Sequence, residues 1–163
     1  MTAMPNMNRS QSERGQILII VAAGLTTFLA MVALVIDGGH AWGQQRDTQN
    51  GTDAAAYSGV VALSENRPAK FAGDPLPNSD ADVLARIVET AGQNGILFDD
   101  AYYTDFGGTR LPGPVAVGSL GSADPPGTAL GVEANAHKDF DTFLAGIIGA
   151  DALTADATAT ART

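Results

Sequence analysis

The sequence has no cysteine, which excludes disulfides, thiolate metal sites and a thiol nucleophile. Aromatic residues make up only 6% of it, too few to furnish a deep substrate pocket. Basic residues are scarce, nine Lys/Arg against eighteen Asp/Glu, for a net charge of −9. That balance argues against binding to nucleic acid and against adsorption to anionic lipid. Histidine occurs twice, at His40 and His137, neither with a partner at metal-ligand spacing. No proline interrupts the chain between Pro5 and Pro68. What is abundant is alanine, glycine and threonine, small side chains that suit close helix packing and thin sheets.

Against this background one stretch dominates. Residues 17–36 read ILIIVAAGLTTFLAMVALVI, twenty residues without a charge, in which only Thr26 and Thr27 are polar. As an α-helix, at about 1.5 Å per residue, the run spans about 30 Å, the thickness of a bilayer's hydrocarbon core. Ile17, Leu18, Ile19, Ile20, Phe28, Leu34 and Ile36 are its large lipid-facing candidates. The two threonine hydroxyls can bond to carbonyls one turn earlier. Arg9 and Arg14 precede the run and Asp37 ends it, which predicts a cytoplasmic N-terminus, a single pass and an extracytoplasmic remainder. A buried core helix would show a polar face, and a signal peptide would have a shorter apolar run and a better small-x-small site than Gly39-His40-Ala41. An uncleaved anchor is the reading that fits.

The chain divides into a basic lead (residues 1–15), a membrane helix (16–36), a helical extension (37–63) and a small α+β domain (64–163). The part after the run carries seven Lys/Arg and seventeen Asp/Glu. It is long enough for one domain with a core. Residues 1–14 read as a polar, disordered lead. From Asp37 to Leu63 the membrane helix continues, with a kink expected at Gly38-Gly39 or Asn50-Gly51. Ala41, Thr48, Thr52, Ala55, Ala56, Gly59 and Leu63 form a stripe of small side chains along it. Such a stripe serves either a second molecule or the protein's own sheet. Residues 64–79 read as a loop, and Ser79 with Asp82 as the capping box of a helix ended by Gly92 and Gly95. Ala101–Phe106 and Val115–Val117 are strand candidates, and residues 118–128 a turn or loop. Leu130, Val132, Ala134 and Ala136 alternate with polar residues, as do Ala155, Ala157, Ala159 and Ala161, giving two strands. Between them Phe140, Phe143, Leu144, Ile147 and Ile148 fall at helical steps, with Asp139 or Asp141 as cap and Gly149 as stop.

Arg14-Gly15, the apolar span, Asp37-Gly38, Gln49-Asn50 and Asp53-Ala54-Ala55-Ala56 follow one another in a set order. This ordered set resembles the N-terminal region of TadE/TadG-like proteins, the Flp pilus-assembly family. The closing Phe-containing segment and Ala-Thr-Ala strand resemble the end of TadG-like extracytoplasmic domains. The resemblance implies a membrane-anchored component of a tight-adherence pilus or related secretion machine at the inner or plasma membrane. Its partners would be the lipid bilayer and other assembly proteins, including further copies of itself, with no cofactor and no small-molecule substrate. Asp37, Gly38, Asp53, Ala55, Ala56 and Gly59 are the helix-packing or assembly candidates. Gly15 is a candidate processing site. Pilins cut by prepilin peptidase carry glutamate five residues beyond the glycine, and here that residue is Ile20.

Chemistry is sparse elsewhere. Asp99, Asp100 and Asp105 could provide hard oxygens for a weak Ca²⁺ site, but the glycine and glutamate of an EF-hand loop are missing, and a solvated turn is expected. No serine sits in a nucleophile elbow, and no glycine run spells a phosphate loop. The expectation is a non-enzymatic anchor and assembly protein. The alternatives are a processed minor pilin within a filament, or an extracytoplasmic binding module.

Overall fold

The computed structural model describes residues 9–112 and 115–163, with side chains from Gly15 onward except at residues 147 and 148. Of residues 1–14, read as a disordered lead, 9–14 are instead helical, the first turns of a helix that begins at Arg9; residues 1–8, and residues 113–114 read as loop, lie outside the described residues. The fold is α+β. Its elements are α1 (Arg9–Ala72), α2 (Asp80–Gln93), β1 (Leu97–Thr104), β2 (Gly131–Asp141), a 3-10 helix (Ala145–Ile148) and β3 (Ala152–Arg162). The strands form one antiparallel sheet in the order β1-β2-β3. The chain separates into two compact units. One contains the residues up to Gly39 together with Thr142–Asp151, the other His40–Asp141 together with Ala152–Thr163.

In the second unit, α1 presents its small side chains to the core. Thr48, Thr52, Ala55, Ala56, Val60, Ala62 and Leu63 are buried. The opposing sheet face is also small, built from Val132, Ala134, Ala136, Ala155, Ala157 and Ala159. Gly59 is where α1, α2 and β2 meet: a Cβ there would stand 2.8 Å from Ile87 Cδ1 and 3.3 Å from Val132 Cγ2. Val83, Ile87 and Ala91 are the buried face of α2. That helix starts at the Ser79 cap, with both halves of the Ser79–Asp82 capping box formed. Gly95, at φ +66°, lies just past its end, whereas Gly92 is inside it.

Several boundaries differ from the sequence reading, each for a local reason. α1 does not stop at Leu63 but runs to Ala72 through Pro68. A proline inside a helix costs about 3 kcal/mol, because it lacks an N–H and crowds the preceding turn. Contacts made by that last stretch offset the cost. The Asn66 side-chain amide donates to the Asn78 carbonyl at 2.8 Å and accepts from the Asn78 N–H at 2.9 Å. Lys70 Nζ donates to the Gly127 carbonyl, and Arg67 to the Thr163 hydroxyl. α1 is also helical through Gly38-Gly39 and Asn50-Gly51. β1 begins at Leu97, not Ala101, and accommodates Asp99 as a bulge. It ends at Thr104, because Asp105 and Thr109 close a turn that leaves Phe106 exposed. Residues 115–117 contribute only a single bridge, Tyr102 to Ala116. The alternation of β2 and β3 is as the sequence predicts, but β2 runs on to Asp141 and absorbs Asp139 and Phe140.

Residues 116–123 are fixed by a buried carboxylate. Asp80 accepts from Tyr103 Oη at 2.6 Å, the Gly118 N–H at 2.8 Å and the Leu120 N–H at 2.6 Å. Burial and the adjacent Asp80 carboxylate push the Tyr103 phenol well above its usual range.

Gly131 is the tightest point of the sheet. A Cβ there would lie 2.4 Å from Thr104 Oγ1 and 2.5 Å from the Ala161 carbonyl oxygen. Because one of those atoms is backbone, Gly131→Ala is expected to destabilise the protein by about 1–3 kcal/mol, read as a lowered thermal midpoint. The acid limb of stability is also predictable. Bonds from Arg86 and Asn78 hold the Glu65 carboxyl below its usual range, and bonds from Ser79 do the same for Asp82. Their contribution is present above the unfolded-state pKa of about 4 and is lost as pH falls through the lower folded values. The thermal midpoint of the detergent-solubilised chain should therefore fall below about pH 4, and less steeply in a Glu65→Gln/Asp82→Asn variant.

Candidate membrane anchor and its terminal carboxylate

The apolar run lies on α1 with its side chains outward. Ile17, Leu18, Ile19, Ile20, Phe28, Leu34 and Ile36 are all exposed. The most apolar 18-residue window of the helix has a mean hydropathy of 2.6, and none of it is buried. Thr26 and Thr27 donate to the Ala22 and Ala23 carbonyls at 2.9 Å, which satisfies their hydroxyls within the helix. α1 is thus long and apolar enough to cross a membrane, and its apolar surface is not consumed by the fold. Trp42, a little further along α1, is exposed as well. Gly15 sits at an open position, with no atom within 4 Å of a Cβ built there.

Asp37 ends this run, and it is buried, at 9% exposure. Its Oδ1 accepts the Phe143 N–H at 2.9 Å. Its Oδ2 accepts the Leu144 N–H at 3.0 Å and the Ala145 N–H at 2.6 Å. Three consecutive amides thus converge on one carboxylate, an arrangement that compensates an anion for lost water. The same amides open the 3-10 helix, whose N-cap residue, Leu144, makes no side-chain cap bond. The cap comes from Asp37 instead. Asp139 and Asp141, expected as caps of an α-helix, lie in β2, and Phe140 is a strand residue. Only one turn of 3-10 helix forms, closed by Gly149 at φ +90°. Thr142 ties the segment's ends together, its N–H to the Asp151 carbonyl at 3.0 Å and its hydroxyl to the Ala150 carbonyl at 2.5 Å. The side chains of Ile147 and Ile148 lie outside the described residues.

The other candidates fall into separate places. Ala55, Ala56 and Gly59 face the core of their own unit. Gly38 and Asp53 are exposed, and Asp53 accepts from Gln49 Nε2 at 3.1 Å. Asp99, Asp100 and Asp105 do not converge. Asp99 bonds His137 Nδ1 at 2.7 Å, Asp100 accepts from Asn135 Nδ2 at 2.5 Å, and Asp105 caps its own turn. Among the described residues no group of acidic or histidine side chains is placed to hold a metal ion. His40 packs edge-on against Phe140 at 5.4 Å. A cleft of about 870 Å³ opens beside the end of α1, lined by Leu63, Lys70, Phe71, Leu76, Pro125 and Leu130. Phe71 at its rim is 91% exposed. Sequence reasoning missed three buried groups: Asp80, the Asn66–Asn78 pair, and Asp37 as a cap. Asp80 carried a usable signal, a carboxylate at the first position of a capped helix. The others depend on contacts across the sequence that no spacing announces.

Replacing Asp37 with alanine should release three amides at once. The expected outcome is faster hydrogen exchange at Phe143, Leu144 and Ala145 in the detergent-solubilised protein, with the amides of β2 and β3 slowed as before. An exchange pattern unchanged at those three residues would mean the carboxylate does not hold them.

No curated protein and no solved structure is significantly similar to the chain. The family model that does match is Tad, "Putative Flp pilus-assembly TadE/G-like", over residues 15–62. The match takes in the whole apolar run, Asp37 and the small-residue face of α1 up to Ala62. It is a family of pilus-assembly components rather than of enzymes. Over this segment, under a third of its length, the chain is similar to the TadE/G-like proteins of the Flp pilus-assembly family.

Proposed function

We propose that the chain is a membrane-anchored, non-enzymatic component of a Tad/Flp-type pilus or a related secretion machine. Residues 17–36 anchor it in the inner or plasma membrane as a single pass, with the N-terminus cytoplasmic and the α+β part outside. The observation that carries this reading is the coincidence of the family match with the exposed apolar run: the matched segment contains the twenty-residue run whose hydrophobic surface the fold leaves uncovered. Arg9 and Arg14 on one side and Asp37 on the other support this orientation. The extracytoplasmic part acts by docking to other assembly proteins. The exposed Gly38 and Asp53 and the Phe71-rimmed cleft are the surfaces it offers them. The acidic balance of the chain speaks against a nucleic-acid partner.

Intact mass and alkaline carbonate extraction of the native membrane fraction test the reading together. The expected result is a chain starting at or near Met1 that stays in the pellet. In a Leu25→Arg/Leu29→Arg variant each charge should cost about 2.5–3.5 kcal/mol of insertion, and the protein should leave the pellet or fail to accumulate. A start at Gln16 would replace the permanent anchor with a processed filament subunit. A soluble chain starting beyond Ala41 would reveal a signal peptide.

A further inference from the structure

We propose that the segment Thr142–Ala150 is a second membrane contact, an apolar tip seated in the phospholipid interface beside the end of the span. This rests on the reading that residues 17–36 cross the bilayer. The segment joins β2 to β3, a place where polar turn residues are the rule. Instead it reads TFLAGIIGA before Asp151, nine residues without a charge and with four large apolar ones. Phe143 is 66% exposed. Such a tip standing in water would leave apolar surface unburied.

The carboxylate of Asp37 fixes where the tip stands. It bonds the backbone of Phe143, Leu144 and Ala145 at 2.6–3.0 Å, and it belongs to the residue immediately after Ile36. The tip also groups with the N-terminal part of α1 as one compact unit. If Ile36 is the last residue in the hydrocarbon, Asp37 stands at the headgroup boundary, and Phe143 stands there with it. At that depth an aromatic side chain can bury its ring while its backbone keeps polar partners. The occupant is therefore phospholipid, continuous with the lipid around the span. Asp141 and Asp151 flank the tip, so its attraction is hydrophobic and needs no anionic headgroup.

The absence of cysteine makes site labelling clean. Three full-length single-cysteine variants, Phe143→Cys, Leu25→Cys and Phe71→Cys, carry a fluorescent label and are reconstituted in phosphatidylcholine vesicles. Doxyl groups placed near the headgroup or at the acyl-chain centre serve as quenchers, with iodide for water. The label at position 143 is expected to be quenched more by shallow than by deep doxyl groups. The label at 25 should show the reverse order, and the label at 71 should respond to iodide alone. If position 25 is quenched by lipid and position 143 only by iodide, the tip stands in water and the inference is overturned while the anchor stands. Protection of position 143 from both quenchers would mean a protein surface covers it, which also overturns the inference. If position 25 is not quenched by lipid, the membrane reading itself fails and takes the tip with it.

Discussion

Close approach between α1 and the sheet is the constraint on which the α+β unit depends. Both surfaces are made of small residues, Ala55, Ala56 and Gly59 on the helix and Ala134, Ala136, Ala157 and Ala159 on the strands. Larger side chains would hold the backbones apart. Because they are near, Gln45 and Gln49 on α1 reach the backbone of β3, donating to the Asp156 and Thr158 carbonyls at 2.7 and 3.1 Å. The spacing works because four helix residues, rising about 6 Å, nearly match two strand residues of about 6.8 Å. β3 is an edge strand, and edges invite pairing with other chains. Here the helix covers part of that edge. The opposite edge, on β1, is partly occupied by the bridges of Tyr102 with Ala116 and Thr104 with Arg110.

A core dominated by alanine and valine, with Ile87 and Tyr103 among its few large side chains, buries little area per residue, and no disulfide supplements it. Buried polar groups give the fold its definition instead. Asp80 gathers a phenol and two amides, and so fixes where the segment around Gly118–Leu120 lies. Asn66 and Asn78 exchange two hydrogen bonds in the manner of a strand pair, joining the last turns of α1 to the approach to α2. Arg86 and Glu65 add an ion pair on the surface at 2.7 Å. That pair is half exposed and worth little to stability by itself. The buried contacts differ in kind, since removing one partner leaves a desolvated group without compensation.

How far each element was legible follows from the range of the forces that shape it. The apolar run was visible because a continuous stretch without charge is a local property of the sequence. β2 and β3 were visible in part because one face is wet, so Val132, Ala134 and Ala136 alternate with polar neighbours. The C-terminal end of β2 was not, because Phe140, Phe143 and Leu144 fit a helical period as well as the strand alternation of Lys138 and Phe140. The deciding contact, Asp37 to Phe143, spans 106 residues. Pro68 misled for the opposite reason. It is a strong local signal, and tertiary bonds at Asn66, Arg67 and Lys70 overrule it. Serine and aspartate at positions 79, 80 and 82 showed a cap correctly but hid that Asp80 serves a different purpose from Asp82.

Asp37 joins two explanations that first look like rivals. A carboxylate directly after an apolar run marks where water begins, and that needs no partner. Yet this carboxylate is 9% exposed and takes three amide donors. An ion held by backbone dipoles needs less water than a free one, so it tolerates a position closer to hydrocarbon than a solvated aspartate would. The amides gain equally, since a short 3-10 helix without its own cap would otherwise leave its first donors unpaired. Each side therefore supplies a partner to the other. The pairing gives the carboxylate that follows Ile36 three donors, and ties the amides of Phe143, Leu144 and Ala145 to the end of the apolar run.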